Sequence, residues 1–242
     1  IEMKNNHVEK FFENASTEYN NNFLEKKSSK SYIFRNRKKI VLDFLSKKRG
    51  SFLDIATGSG EITSDIIKNN DFNQIVLIDI SEKMLNKMKL KVKKFKKIKF
   101  INNDFSKIKF AKKFDYIACL GIIAHFNDNK VFFSTLRKIS KKGSTILLQS
   151  SLLNFPTNRI NNIFFSKRYI KKYNYKINYV TEKKLNNLFK KYGFDVIAVK
   201  KYSLALPIFD KIFPIINYYI EIIFSIIFPS IGSEAIFLLK KK

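Results

Sequence analysis

Two carboxylates, a turn of small residues and one histidine are the groups in this chain whose types and spacing could do chemistry. Asp54 stands near the end of an apolar run, Ser51 to Ile55, that reads as a buried strand. The run breaks into Ala56-Thr57-Gly58-Ser59-Gly60 and then enters a helical pattern from Glu61 to Ile67. Small residues there let the backbone approach a bound ligand closely, and the free N–H groups at the helix start face it. About twenty residues further on, Gln74-Ile-Val-Leu-Ile-Asp79 is a second short apolar run that ends in a carboxylate. A carboxylate so placed can accept both hydroxyl hydrogens of a ribose. Together these features predict a nucleoside-containing cofactor.

The glycine spacing narrows the cofactor. A dinucleotide fingerprint needs G-x-G-x-x-G, but after Gly58 and Gly60 the third position is Thr63; the Gly-Lys-Ser/Thr of a phosphate-cradling loop is absent. What stands is Asp54-x-Ala56-x-Gly58-x-Gly60, which resembles motif I of the class I S-adenosylmethionine (SAM) methyltransferases, with Ala56 in place of the first glycine. The resemblance implies SAM as cofactor, held at Asp54, Ala56, Gly58 and Gly60. Asp79-Ile80-Ser-Glu-Lys-Met84 resembles the family's second motif, which implies a ribose contact at Asp79 and further cofactor contacts at Ile80 and Met84. Phe100-Ile-Asn-Asn-Asp104-Phe105 is similar to the end of its third strand, where an acid meets the adenine amino group. The segment Phe114 to Asp128, with Leu120 and His125, resembles the fourth strand and the loop that faces the methyl group. Leu136 to Gly143 with the strand Ser144 to Gln149, and Tyr179 to Phe194, match the later blocks in order.

Methyl transfer from a sulfonium is an in-line displacement, so such an enzyme chiefly aligns the nucleophile and excludes water. An oxygen acceptor also loses a proton, often to a His. His125 is the candidate, with the alternative that it only lines the pocket. By resemblance to the entry helix of small-molecule members, Arg35 would meet the cofactor carboxylate and Tyr19 or Tyr32 would line the substrate pocket. Tyr169 is a further candidate for the acceptor site. No Asn/Asp-Pro-Pro-Tyr segment is present, which argues against amino-methylation of DNA bases or protein glutamine, and Cys119 does not follow a proline, which argues against cytosine-C5 methylation. The expected reaction is methyl transfer to a hydroxyl oxygen of a metabolite or glycan precursor. The runner-up is a quinone-type C-methyltransferase acting on a lipid-soluble ring. From another class, a SAM-binding protein without turnover remains open, because Ala56 departs from the glycine pattern.

Composition sets the outer bounds. With 242 residues the chain fits one domain, and its single cysteine excludes a disulfide framework and the three-cysteine cluster of radical-SAM chemistry. No metal site is expected. The polar, mixed-charge residues 1–31 and the lone thiol fit a cytoplasmic, reducing place. The net charge of +27 invites a nucleic-acid partner, but only six of the 47 basic residues are Arg and the Lys are spread along the chain. Base and phosphate recognition recruits the planar Arg fork, so the charge reads as compositional drift and solvated faces.

Apolar runs alternating with helical periodicity predict a doubly wound, mainly parallel α/β sheet. Strands are expected near 51–55, 74–79, 98–102, 115–120, 144–150, 194–201 and 234–239, the last two an antiparallel hairpin. Helices are expected near 36–47, 60–69, 81–93, 129–139 and 181–192. All of 1–242 then forms a single domain, with an N-terminal cap (5–34), a substrate cover (151–178) and an apolar insertion (204–231). That insertion is too interrupted by charge and proline to span a bilayer. It reads as a hydrophobic lid or a homodimer contact, in preference to a peripheral membrane contact.

Overall fold

The computed structural model describes residues 2–16, 27–126, 128–163 and 178–242. Seven strands form one sheet: β1 (Arg49–Ile55), β2 (Asp71–Asp79), β3 (Ile98–Asn102), β4 (Phe114–Leu120), β5 (Ser140–Ser151), β6 (Phe194–Tyr202) and β7 (Glu234–Lys241). Their order is β3-β2-β1-β4-β5-β7-β6, with β7 antiparallel to both neighbours and the remaining pairs parallel. The order reverses between β1 and β4, and in such sheets ligands bind outside the carboxyl ends of the strands at that switch.

The helices with named ends are α1 (Glu2–Ala15), α2 (Ser29–Phe44), α3 (Thr63–Lys68), α4 (Glu82–Val92), α5 (Asn129–Ile139), α6 (Glu182–Lys191), α7 (Pro207–Ile212) and α8 (Pro214–Ile227). Local chemistry fixes their starts. Ser28 and Ser31 form a reciprocal capping box on α2, and Ser81 and Thr181 accept from the third backbone N–H of α4 and α6. The central strands are buried on both faces, so they read as continuous apolar runs. Leu53, Ile55, Phe132, Phe133, Phe189 and Phe237 fill one face; Phe52, Leu77, Met88, Val41 and Leu45 fill the other.

β2 and β5 begin three and four residues earlier than the apolar runs indicate, because exposed Asp71 and Asn73 on β2, and Lys141, Lys142 and Gly143 on β5, interrupt the apolar pattern. The insertion differs more. It folds as α7 and α8, and α8 turns Asn217 and Glu221 inward at 0% exposure while most of its isoleucines face out. A lid that buries its apolar side chains against the domain is therefore not what forms. Among the described residues no helix is long and apolar enough to cross a membrane.

Candidate active site

β1 delivers Asp54 and the small-residue turn to the switch point. Asp54 is 1% exposed, and its Oδ2 accepts from Thr63 Oγ1 at the first turn of α3, while Thr57 Oγ1 donates to Thr63 Oγ1 at 3.2 Å. Its Oδ1 has no hydrogen-bond partner among the described residues. Burial pushes the Asp54 carboxyl up to about 6 despite the Thr63 and Thr57 bonds. The neighbouring Cys119 thiol is also raised, by burial and then by Asp54, and stays an inert core group.

The turn itself is left-handed at three alternate positions. Gly58 has φ +57° and Gly60 φ +79°, and Ala56 adopts φ +62° at the place of the first glycine. That conformation costs a non-glycine residue roughly 1 kcal/mol or more. The two glycines differ in what they make room for. Among the described residues a side chain on Gly58 would meet nothing within 4 Å, whereas one on Gly60 would start 1.8 Å from the Met88 sulfur. Gly58 thus borders open space at the mouth, and Gly60 serves close packing of the turn on α4.

β2 ends at Asp79, which is 6% exposed. Gly58 N–H donates to its Oδ2 at 2.7 Å and Ser81 N–H to its Oδ1 at 2.9 Å, so this carboxylate ties the turn to the start of α4. Burial raises it to about 6, with these bonds opposing and the Glu13 charge adding to the rise. Asn102 holds the same strand end, donating to the carbonyls of Asp79 and Ile80.

α1 roofs the mouth. Glu13 accepts from Ser81 Oγ at 2.8 Å and Lys83 N–H at 3.2 Å on the β2 side, while the adjacent Phe12 meets the His125 ring edge-on at 5.0 Å on the β4 side. His125 closes a short 3-10 turn after β4. Asn178 N–H pins that turn by donating to Ala124 O at 2.8 Å, and the Asn178 side chain donates to Phe126 O. Burial lowers His125 to about 4, so its imidazole is neutral at physiological pH.

The other residues singled out from sequence divide. Leu120 ends β4, partly buried beside the turn. Met84 is buried in the first turn of α4, and Ile80 keeps partial exposure. Asp104 caps the 3-10 turn that follows β3, accepting from Ser106, while Phe105 sits in the core against Phe110, Phe126 and Phe132. Arg35 is not brought to the turn: it is exposed and donates to Tyr218 on α8 at 3.4 Å, because its helical position faces outward. Tyr32 is buried edge-on against the same Tyr218. Tyr19 and Tyr169 lie outside the described residues.

Sequence reasoning missed a second polar group at the same end of the sheet. Glu234, first in β7, accepts from Ser151 Oγ at 2.6 Å and from Gln149 Nε2, and Arg37 donates to Tyr202 at 3.3 Å beside it. Burial raises the Glu234 carboxyl, with Arg37 and the two hydrogen bonds opposing. Gln149 Oε1 is buried without a partner among the described residues, 3.5 Å from where a side chain on Gly121 would begin. The available signal was a Gln and a Glu at the ends of otherwise apolar strands. A surface depression at Asn154, Thr181, Glu182, Lys183, Asn186 and Asn187 contains none of these groups.

Residues 29–199 match a family model described as a methyltransferase domain. None of the curated proteins matches the sequence significantly. Solved structures that share the fold at low identity include the following three. One is the magnesium protoporphyrin IX methyltransferase of Synechocystis PCC 6803 with bound S-adenosylhomocysteine (12% identity, TM-score 0.70, 99% of this chain and 100% of that one). The second is a SAM-dependent methyltransferase of Thermotoga maritima described as a possible histamine N-methyltransferase (16%, 0.68, 98% and 100%). The third is the N-methyltransferase NodS of Bradyrhizobium japonicum WM9 with S-adenosylhomocysteine (11%, 0.59, 86% of each chain). With the family model over most of its length, and the small-residue turn at the switch point of the matching sheet, the chain belongs to the class I SAM-dependent methyltransferases.

Proposed function

We propose that this protein transfers the SAM methyl group to a hydroxyl oxygen of a small molecule, with His125 as proton acceptor. The observation that carries the cofactor half is the pair of buried acids around the open face of Gly58. Asp79 keeps free lone pairs on both oxygens for the ribose hydroxyls, and the unpartnered Asp54 Oδ1 suits a donor from the cofactor. The bound cofactor supplies a methyl group on a positively charged sulfur, open to in-line attack. The chain's own work is to hold the acceptor in line under α1 and to keep water out.

His125 supports the acceptor half. It stands beyond β4 on the far side of the turn from Asp79, fixed by Asn178 and covered by Phe12, and it is neutral at physiological pH. A pKa of about 4 makes it a weak base, best matched to an acceptor hydroxyl that is itself acidic, such as one on an aromatic ring. A second reading, methylation of a carbon of a lipid-soluble ring, is favoured by the outward apolar face of α8. The test for His125 is its replacement by alanine. Turnover should fall about 10²–10⁴-fold with SAM affinity nearly intact. A fall in SAM affinity with saturated turnover unchanged would make His125 a pocket wall.

A further inference from the structure

α8 carries its polar and apolar sides the opposite way round from a core-packed helix. Asn217 and Glu221, one turn apart, are fully buried. Glu221 accepts from Ser29 Oγ and Ser203 Oγ at 3.0 Å, from Leu204 N–H at 2.9 Å and from Ala205 N–H at 3.2 Å. On α7, Asp210 accepts from Ser29 N–H at 2.7 Å. Both carboxylates of the segment are thus engaged with the domain, and the surface left outside is apolar. Ile212, Ile215, Ile216, Ile223, Ile226 and Ile227 are each between 53% and 73% exposed. Contiguous exposed apolar surface of that extent marks an interaction site.

The rim of this face says what covers it. Lys27 donates to Tyr219 on α8, Arg35 to Tyr218, and Lys30 and Lys211 stand exposed on α2 and α7. A second copy of this chain would bring that basic rim, and a net charge of +27, against its like. A surface of anionic headgroups over hydrocarbon complements both the lysines and the isoleucines. With 14 residues, α8 is about 21 Å long, short of the ~30 Å hydrocarbon core, so it suits lying in the interface rather than crossing it.

We propose that the outward face of α7 and α8 docks this protein onto an anionic membrane surface. The segment leaves β6 and enters β7 at the sheet end that carries the active site, so docking sets that end beside the lipid. The test is co-sedimentation of the full chain with phosphatidylcholine vesicles containing phosphatidylglycerol, and with phosphatidylcholine alone. Binding should appear on the anionic vesicles, weaken with added salt and be much poorer on the neutral ones. Replacing Ile223, Ile226 and Ile227 together by serine should lower the vesicle-bound fraction at least about tenfold without lowering the melting temperature, since all three are solvated. Absence of anionic-vesicle binding would overturn the proposal, as would binding unchanged in the triple variant. A dimer that the triple variant splits, with no vesicle binding, would assign the face to a second copy.

Discussion

Two of the regions of this molecule that bury carboxylates satisfy them in opposite ways. Glu221 in the α8 segment accepts four hydrogen bonds, two of them from the backbone of a loop in which Ser203 and Ala205 take left-handed φ of +70° and +53° to wrap it. Asp54 at the switch point accepts from Thr63 and leaves its second oxygen unpartnered at 1% exposure. The first carboxylate is satisfied by the fold alone. The second carries an unmet demand that a cofactor donor would answer. A buried acid completed by its own chain reads as an anchor, and one left incomplete reads as a binding group.

The contrast is open to direct attack. The largest stability effect is expected at the anchor. Glu221→Ala should destabilise the fold by about 2–4 kcal/mol, because two hydroxyls and two amides lose their acceptor, and denaturant unfolding measures it. A near-neutral result would show the loop re-satisfying itself and would dissolve the contrast. Burial raises both carboxyls, but at the switch point the expected effect of substitution reverses. Burial raises Asp54 from 3.8 to about 6, so its contribution to stability is present below about 4 and is lost as pH rises through about 6. Asp54→Asn should therefore stabilise the cofactor-free protein by roughly 1–3 kcal/mol at neutral pH, with no gain at about pH 4, while weakening SAM binding. Loss of stability at neutral pH would mean that the charge is compensated after all. The smallest effect is expected at Ala56, whose left-handed φ costs energy that glycine would not incur. Ala56→Gly should raise stability by less than about 1 kcal/mol, the relief of strain being partly offset by unfolded-chain entropy, and should leave SAM affinity unchanged. A gain in affinity would instead mark Ala56 as an impaired cofactor contact.

The cofactor side was legible because each of its signals is local. An apolar run ending in an acid, a small-residue turn and a second such run fix the strand ends, and the parallel sheet then places Asp54, Gly58 and Asp79 together without long-range knowledge. Even there, spacing treated Gly58 and Gly60 alike, although one faces open space and the other faces Met88. The group of Gln149, Ser151, Glu234, Tyr202 and Arg37 was not legible, since it joins four elements far apart in sequence. Arg35 and Arg37 both lie on α2, and which one turns towards the sheet depends on how that helix packs. In α8 the stripe of Asn217 and Glu221 is visible in the sequence, but periodicity cannot say which face turns inward. Ser29, Ser203 and the loop amides decide it, and they come from other parts of the chain.

Calorimetric titration of SAM into the wild type and Asp79→Ala decides whether Asp79 holds the cofactor at the end of β2. Binding is expected in the wild type, weaker by about 1.5–3 kcal/mol in the variant through loss of charge-assisted hydrogen bonds. Because burial raises Asp79 to about 6, wild-type affinity should also fall as the pH drops below that value, by about tenfold at about pH 5 for each proton taken up. An unchanged affinity in a well-folded Asp79→Ala, or no SAM binding to the folded wild type, would contradict it.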